Sequence, residues 1–329
     1  MKKQHILSAV ILIVVAALVG FKVYSVYHPK AVQTATVTPV PGTVGEVQST
    51  TVSETTTSSI KPAVKVTTET PINGQYKGVI EVGASGFNAF VVNIDKDKNW
   101  QLVSKEFGAS LAYEGFATTD DVYSQLKKYI ANIADKGVKG NNIHFVISSG
   151  ALKNPKIDLV ADAIQKKGFV VNRVTADQEG KYALKALLPK QYKDKSFTVD
   201  IGSGNTKINW YTGDKMNTVE CSGAKYYEIN KTDQEVYNEI KEAIAKVPAA
   251  NRQFCFMIGG VPFKLAQETR SGEERFTQLK NPDEYSGGDD VKKKSGLNIY
   301  RAIYENSNCD SFIFDWDANF TIGFLMTIN

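Results

Sequence analysis

Two stretches of the chain carry the same run of residues suited to holding a charged ligand. Val79-Ile80-Glu81-Val82-Gly83-Ala84-Ser85-Gly86-Phe87-Asn88 and Thr198-Val199-Asp200-Ile201-Gly202-Ser203-Gly204-Asn205-Thr206-Lys207 each pass from β-formers to an acid, an apolar residue and a glycine-bearing turn. The two acids, Glu81 and Asp200, are 119 residues apart. Glycines let the backbone turn tightly and approach a ligand, and the N–H groups freed there form a nest for phosphate oxygens. A carboxylate at the strand end can hold a divalent cation through water and so offset phosphate charge. The pattern gives Gly83, Ser85, Gly86, Gly202, Ser203, Gly204 and Asn205 as candidate phosphate contacts, with Glu81 and Asp200 as candidate ligands for Mg²⁺ or another divalent cation.

These residues need strands to carry them. Gly78–Val82 and Phe87–Ile94 are short β-branched and aromatic runs flanking a small-residue turn, a hairpin by its turn chemistry, and Trp100–Phe107 reads as a third strand. Asp120–Ala134 has apolar residues at the helical period, with Thr118 and Thr119 placed to cap it. Ile143–Ile147 and Gly168–Val174 read as buried strands with a helix, Ile157–Lys167, between them. At Phe197 the opening restarts: Phe197–Ile201 and Thr206–Tyr211 flank the second glycine turn. The expectation is a duplicated α/β body whose two glycine turns face each other across a cleft.

The pattern resembles the exopolyphosphatase/guanosine pentaphosphate phosphatase family, within the actin, sugar kinase and heat-shock ATPase superfamily. The likeness runs from about Gly78 to the C-terminus in separated segments. Asp200–Lys207 is similar to the family's second phosphate loop, DIGGGSTE, and Glu81–Asn88 stands in the place of the first. Phe107-Gly108, Leu111, Gly115 and Thr118 follow the family's spacing before its first long helix. Ser148–Asn154 resembles ATSALRDA, Ala176–Glu179 lies where the family has SGxEE, and Ile258–Ala266 resembles GGTATxLA. Trp316–Leu325 stands in the place of GLREGLL.

The resemblance implies two ribonuclease H-like domains and hydrolysis of a terminal phosphoryl group by water, helped by loop amides, a metal and basic residues. It implies Glu179 as general base, Lys153 as a phosphate contact, Glu81 and Asp200 as metal- or water-holding acids, and Thr206, Lys207, Gly259 and Gly260 as further phosphate-site positions. The chain also departs from the family at this set. Lys207 replaces a glutamate, Glu81 an aspartate, Gly86 a serine and Lys153 an arginine with its bidentate fork; Asp177 replaces a glycine, and Gly180 follows Glu179 in place of a second acid. Three functions are therefore carried forward: a metal-dependent hydrolase of polyphosphate or guanosine pentaphosphate, a catalytically degenerate module that binds a phosphorylated ligand or a partner, and a nucleotide-binding kinase-like or actin-like protein.

Composition excludes several alternatives. Only His144 lies beyond the first 30 residues, within the apolar run Ile143–Ile147, and Cys221, Cys255 and Cys309 are widely spaced. Neither a Ser-His-Asp triad nor a Cys/His metal site can be assembled, and the cysteines read as core thiols. Of the net charge of +4, the residues from Gln75 onward carry only +1, which gives no footprint for duplex nucleic acid.

The N-terminus reads differently from the body. Residues 1–5 form a short tail, and the apolar stretch 6–27 would be about 33 Å long as a helix, enough for a transmembrane or signal anchor. Lys22, Tyr24 and Tyr27 suit its interface. Residues 28–74 are Thr/Ser/Pro-rich and read as a disordered linker. The domains expected beyond it are 75–195 and 196–329, on the outer side of a membrane. Pairing of two chains is left open.

Overall fold

The computed structural model describes residues 64–84, 86–108, 116 and 118–328. The expected anchor at 6–27 and residues 28–63 of the expected linker lie outside them.

The first sheet is built from β1 (Gln75–Gly83), β2 (Gly86–Ile94), β3 (Trp100–Phe107), β4 (Ile143–Ile147) and β5 (Val171–Arg173), in the order β3-β2-β1-β4-β5. The second contains β6 (Ser196–Ile201), β7 (Asn205–Thr212), β8 (Lys215–Ser222), β9 (Phe254–Ile258), β10 (Phe276–Gln278) and β11 (Ser311–Asp315). Its order is β10-β11-β9-β6-β7-β8. Read from β8, the second sheet repeats the first and adds an antiparallel edge strand, β10. In each, a hairpin's first strand pairs in parallel with the strand that follows a helix: β1 with β4, and β6 with β9. The duplication seen in the two glycine turns thus extends through both sheets. β5 is shorter than expected, because Gly168 closes the preceding helix at φ +84° instead of entering the strand.

Side chains alternate along these strands, so each sheet has two buried faces. Ile80, Val82, Phe87, Ala89 and Val91 point outward onto α1 (Thr119–Asp135) and α2 (Ile157–Lys166), forming one core. Phe197, Val199, Ile201 and Ile208 point outward onto α4 (Asp233–Ala245), α5 (Gly260–Gln267) and α6 (Val291–Ser307), forming another. The opposite faces share a third core. Val79, Phe90, Val92 and Val146 of the first sheet and Phe254, Phe256 and Ile313 of the second meet Ala183, Leu184 and Leu187 of α3 (Ala176–Leu187) and Phe320, Ile322 and Leu325 of α7 (Phe320–Leu325). The layers are helix, sheet, helix, sheet, helix.

Two helices start where the sequence places caps. Thr118 accepts from the Asp121 N–H and Asp121 returns a carboxylate to the Thr118 N–H; Thr175 and Gln178 do the same for α3. His144 is half-buried with its ring against Phe324, and burial holds its pKa below the usual value. Cys221 and Cys255 are buried free thiols, with burial pushing Cys221 up to about 12.

Residues 64–73 of the expected linker are laid against the body. Val64 and Val66 pack on the shared core, and the Val64 N–H donates to Gln278 Oε1 at 3.2 Å. Further along, Gln191 donates to the Thr67 carbonyl at 2.8 Å, and the Ile72 N–H donates to Asp95 Oδ2 at 3.1 Å. Residues 64–73 therefore run from the second sheet to the first as a strap.

Candidate functional site

Strand alternation decides which residues can meet. Glu81 shares a face of β1 with Val79, and Asn88 shares a face of β2 with Phe90 and Val92, so both point into the space between the sheets. In the second sheet Asp200 lies opposite Val199 and Ile201, and Lys207 lies opposite Ile208; they too face inward. Register then pairs the acids with their cross-strand neighbours, Glu81 with Asn88 and Asp200 with Lys207, seven residues on in each case. Lys207 is flanked on its other side by Glu220 of β8. Both glycine turns cap the same end of the inter-sheet space.

Glu179 enters this end from the first turn of α3 and is 1% exposed. Its carboxylate is held by three donors. The Ser149 N–H donates to Oε1 at 2.6 Å, the Ser149 hydroxyl donates to Oε2 at 2.7 Å, and Lys207 Nζ sits 2.5 Å from Oε2. Lys207 is also 3.9 Å from Asp200 Oδ2. Asn205 ties in the second turn, donating to Glu220 Oε1 at 2.8 Å and to Ser149 Oγ at 3.4 Å. On the other side Glu81 Oε2 accepts from Asn88 at 3.1 Å and from Asn319, the cap of α7, at 3.2 Å.

Burial and charge set the protonation of these groups. Burial raises the Glu81 pKa to about 7, with Glu179 and Asp200 adding repulsion and the Asn88 and Asn319 hydrogen bonds opposing it. Burial also raises Asp200, against the pull of Lys207. Lys207 is raised: the charges of Asp200 and Glu179 outweigh a desolvation that by itself is the largest influence and would lower it. An ammonium held between buried carboxylates stays charged.

The glycines are fitted closely. A Cβ on Gly259, whose φ is +104°, would meet Ile201 O at 2.4 Å and Asp200 Oδ1 at 2.8 Å. A Cβ on Gly223 would meet the Asn205 nitrogen at 2.3 Å and Gly204 carbon at 2.5 Å, so Gly223 lets the segment after β8 lie against the second turn. At Gly204 and Gly260 an added Cβ would meet open space. The turn is closed by the Gly202 N–H to Asn205 O at 3.0 Å and backed by bonds from Ala224 and Lys225 to the Gly202 and Ser203 carbonyls.

The structure gathers Glu81, Asp200, Glu179, Lys207, Asn205, Gly202, Ser203, Gly204 and Gly259, and Gly260 begins α5 beside them. It turns Thr206 away: the side chain is fully buried on the outer face of β7, and its hydroxyl has no partner among the described residues. Lys153 is exposed in the 3₁₀ turn Ala151–Lys153 and forms no ion pair or hydrogen bond among the described residues. Gly83 and Gly86 close the β1–β2 hairpin as a bridged pair, and Ser85 lies outside the described residues. Ser149, Asn319, Glu220 and Gly223 belong to the site without having been singled out from sequence. Asn319 had a signal, an Asn directly before the apolar run Phe320–Leu325; the others show only once the sheets are paired.

The donor set does not fit a bound Mg²⁺. Among the described residues no group of three or more His, Cys, Asp and Glu is arranged to hold a metal ion. The place between Glu179 and Asp200 is taken by the Lys207 ammonium, and Glu81 is held by two amide donors. A cavity of about 270 Å³ lies elsewhere, between Lys98 and Arg275. No helix among the described residues is long and apolar enough to cross a membrane.

No protein-family model matches the chain, and no curated protein matches it in sequence. Solved structures do match in fold. A Ppx/GppA family member from Aquifex aeolicus aligns with a TM-score of 0.57 at 17% identity, over 77% of this chain and 97% of that one. An exopolyphosphatase from Cytophaga hutchinsonii aligns with a TM-score of 0.57 at 14% identity, over the same shares of the two chains. A further structure described as exopolyphosphatase-like aligns with a TM-score of 0.59 at 13% identity, over 76% of this chain and 96% of that one. The chain has the Ppx/GppA fold that the resemblance of its separated segments implies.

Proposed function

We propose that the cleft binds a phosphorylated ligand and that Lys207 supplies there the fixed positive charge a divalent metal would supply in a hydrolase. The chain is then a ligand-binding module, which also leaves its cleft open to a partner, and not a metal-dependent phosphatase. The observation that carries this reading is the Lys207 ammonium, 2.5 Å from Glu179 and 3.9 Å from Asp200. A general base needs a free lone pair aimed at the attacking water. Glu179 has three of its roughly four acceptor positions taken by Lys207 and both donors of Ser149, and its charge is matched by the ammonium.

The likeness to a Ppx/GppA family member and to an exopolyphosphatase supports phosphate as the ligand class, polyphosphate first, with a nucleotide phosphate as the alternative. The second turn and the start of α5 supply the amides for it. With four acids, Glu81, Asp200, Glu179 and Glu220, around one ammonium, an anion gains from the protonation of Glu81 near neutrality. The apolar stretch at 6–27 supports an anchored chain with its body on the outer side of a membrane.

A second reading, hydrolysis, is favoured by one observation. Glu81 has a pKa near 7, where a carboxyl group can exchange a proton at neutral pH. It would make Glu81, and not Glu179, the acid–base residue.

The test is calorimetric titration of the full chain with inorganic tripolyphosphate in EDTA, followed by thermal melts with and without Mn²⁺. The expected result is binding in EDTA and a melting temperature indifferent to the metal. The Lys207→Glu chain should instead melt higher with Mn²⁺ present. Binding or melting that depends on metal in the unaltered chain would contradict the reading.

A further inference from the structure

The molecule has a second concentration of positive charge, away from the glycine turns. A cavity of about 270 Å³ is lined by Lys98, Lys185, Lys190, Lys193 and Arg275, with Glu69 the one acid in its wall. These residues come from places far apart in sequence: the β2–β3 turn, the end of α3 and the segment after it, the edge of β10, and the strap. Topology separates the cavity from the cleft. β2 runs from Gly86 at the first glycine turn to Ile94, just before Lys98, and β7 runs from Asn205 at the second turn towards Tyr211 in the cavity wall. Six residues of strand span about 20 Å, so the cavity lies at the far end of the inter-sheet layer.

Part of this charge lacks a compensating partner, although Lys193 is paired with exposed Asp214 at 2.6 Å. Lys98 and Lys185 form no ion pair among the described residues. Lys190 reaches Glu69 only at 3.5 Å, with both side chains mostly exposed, a pair that contributes little. Arg275 is different. It forks onto buried Asp315 through bonds of 3.0 and 2.9 Å and lies 4.0 Å from the Trp100 ring centre. It is a fixed wall of the cavity, as is Lys193, while Lys98 and Lys185 are placed to close on a ligand. Lys77 registers the field: burial lowers its pKa first, and the charge of Lys98 lowers it further.

We infer that this cavity is a second binding site, for a compact anion carrying several charges such as an inorganic oligophosphate, and that the strap forms one side of it through Thr68 and Glu69. Its volume lies just below the roughly 300–1,000 Å³ of sites for drug-sized molecules, which suits a compact ligand. The site does not depend on the reading of the cleft. Every residue it uses lies outside the Glu81–Asp200–Glu179–Lys207 group.

The test is titration of the full chain with sodium tripolyphosphate at low ionic strength, compared with Lys98→Gln/Lys185→Gln and with Glu69→Gln. Replacing the two lysines should weaken one binding event by about tenfold or more, the loss of at least one charge-assisted contact. Removing Glu69 should strengthen that same event, because it frees Lys190 and takes away the only acid. The double variant Lys207→Met/Glu179→Met, which removes the buried pair together, should leave it unchanged, which separates this site from the cleft. Identical isotherms for the chain and both cavity variants, or no binding in any of them, would overturn the inference.

Discussion

Lys207 and Glu179 illustrate how one residue type alters a site. Two charges buried together gain little over apolar residues of similar size, but removing one leaves the other stranded. Lys207→Met should therefore destabilise the fold by about 3–5 kcal/mol in urea unfolding, while the double variant Lys207→Met/Glu179→Met should recover most of that loss. Glu81 predicts a pH dependence of unusual sign. Its pKa in the folded chain is raised from 4.5 to about 7, so between these values the native state holds a proton that the unfolded state has lost. Stability from this group is therefore lost as pH rises through that window and levels off above about 7. Glu81→Gln removes the effect, so melting of the variant relative to the unaltered chain should improve from pH 5 to pH 8. A constant difference would show that Glu81 titrates normally. Sequence revealed Lys207 as a departure from the expected loop, but not its partner: Glu179 lies 28 residues earlier on a helix, and only the packing of α3 against β7 joins them.

The elements were legible where their signals are local. Strand alternation, threonine caps and glycine turns gave β1, β2, β6, β7 and α1 close to their observed limits, because each rests on a few adjacent residues. What could not be read is the approach of segments distant in sequence. Gly223 follows β8 in a small-residue run, Ser222-Gly223-Ala224, and has no obvious role until β8 is paired with β7. A methyl group there would press on the Asn205 nitrogen, so Gly223→Ala should cost about 1–3 kcal/mol and weaken phosphate binding at the second turn. Gly204→Ala, where a Cβ meets open space, is the matching control and should be tolerated. The strap was read as linker because it is rich in threonine and lacks aromatic residues. Its signal was the alternation Val64-x-Val66, too short to stand out. Val64→Ala/Val66→Ala should lower stability by about 1–2 kcal/mol, reflecting two half-buried side chains.

At the scale of the whole molecule, the shared middle layer joins the two halves and the strap crosses them at one side. The duplicated sheets bring two glycine turns, each preceded by an acid-bearing strand, to one end of that layer. The same arrangement accommodates different chemistry according to the residue opposite each acid: here an amide faces Glu81 and an ammonium faces Asp200. The central claim is that this ammonium has displaced the metal and occupied the base, leaving binding without turnover. The most direct test is phosphate release from polyphosphate by the full chain with Mg²⁺, with binding measured on the same preparation in EDTA. The account predicts binding and no release. Release that requires Mg²⁺ and disappears in Glu179→Gln would contradict it.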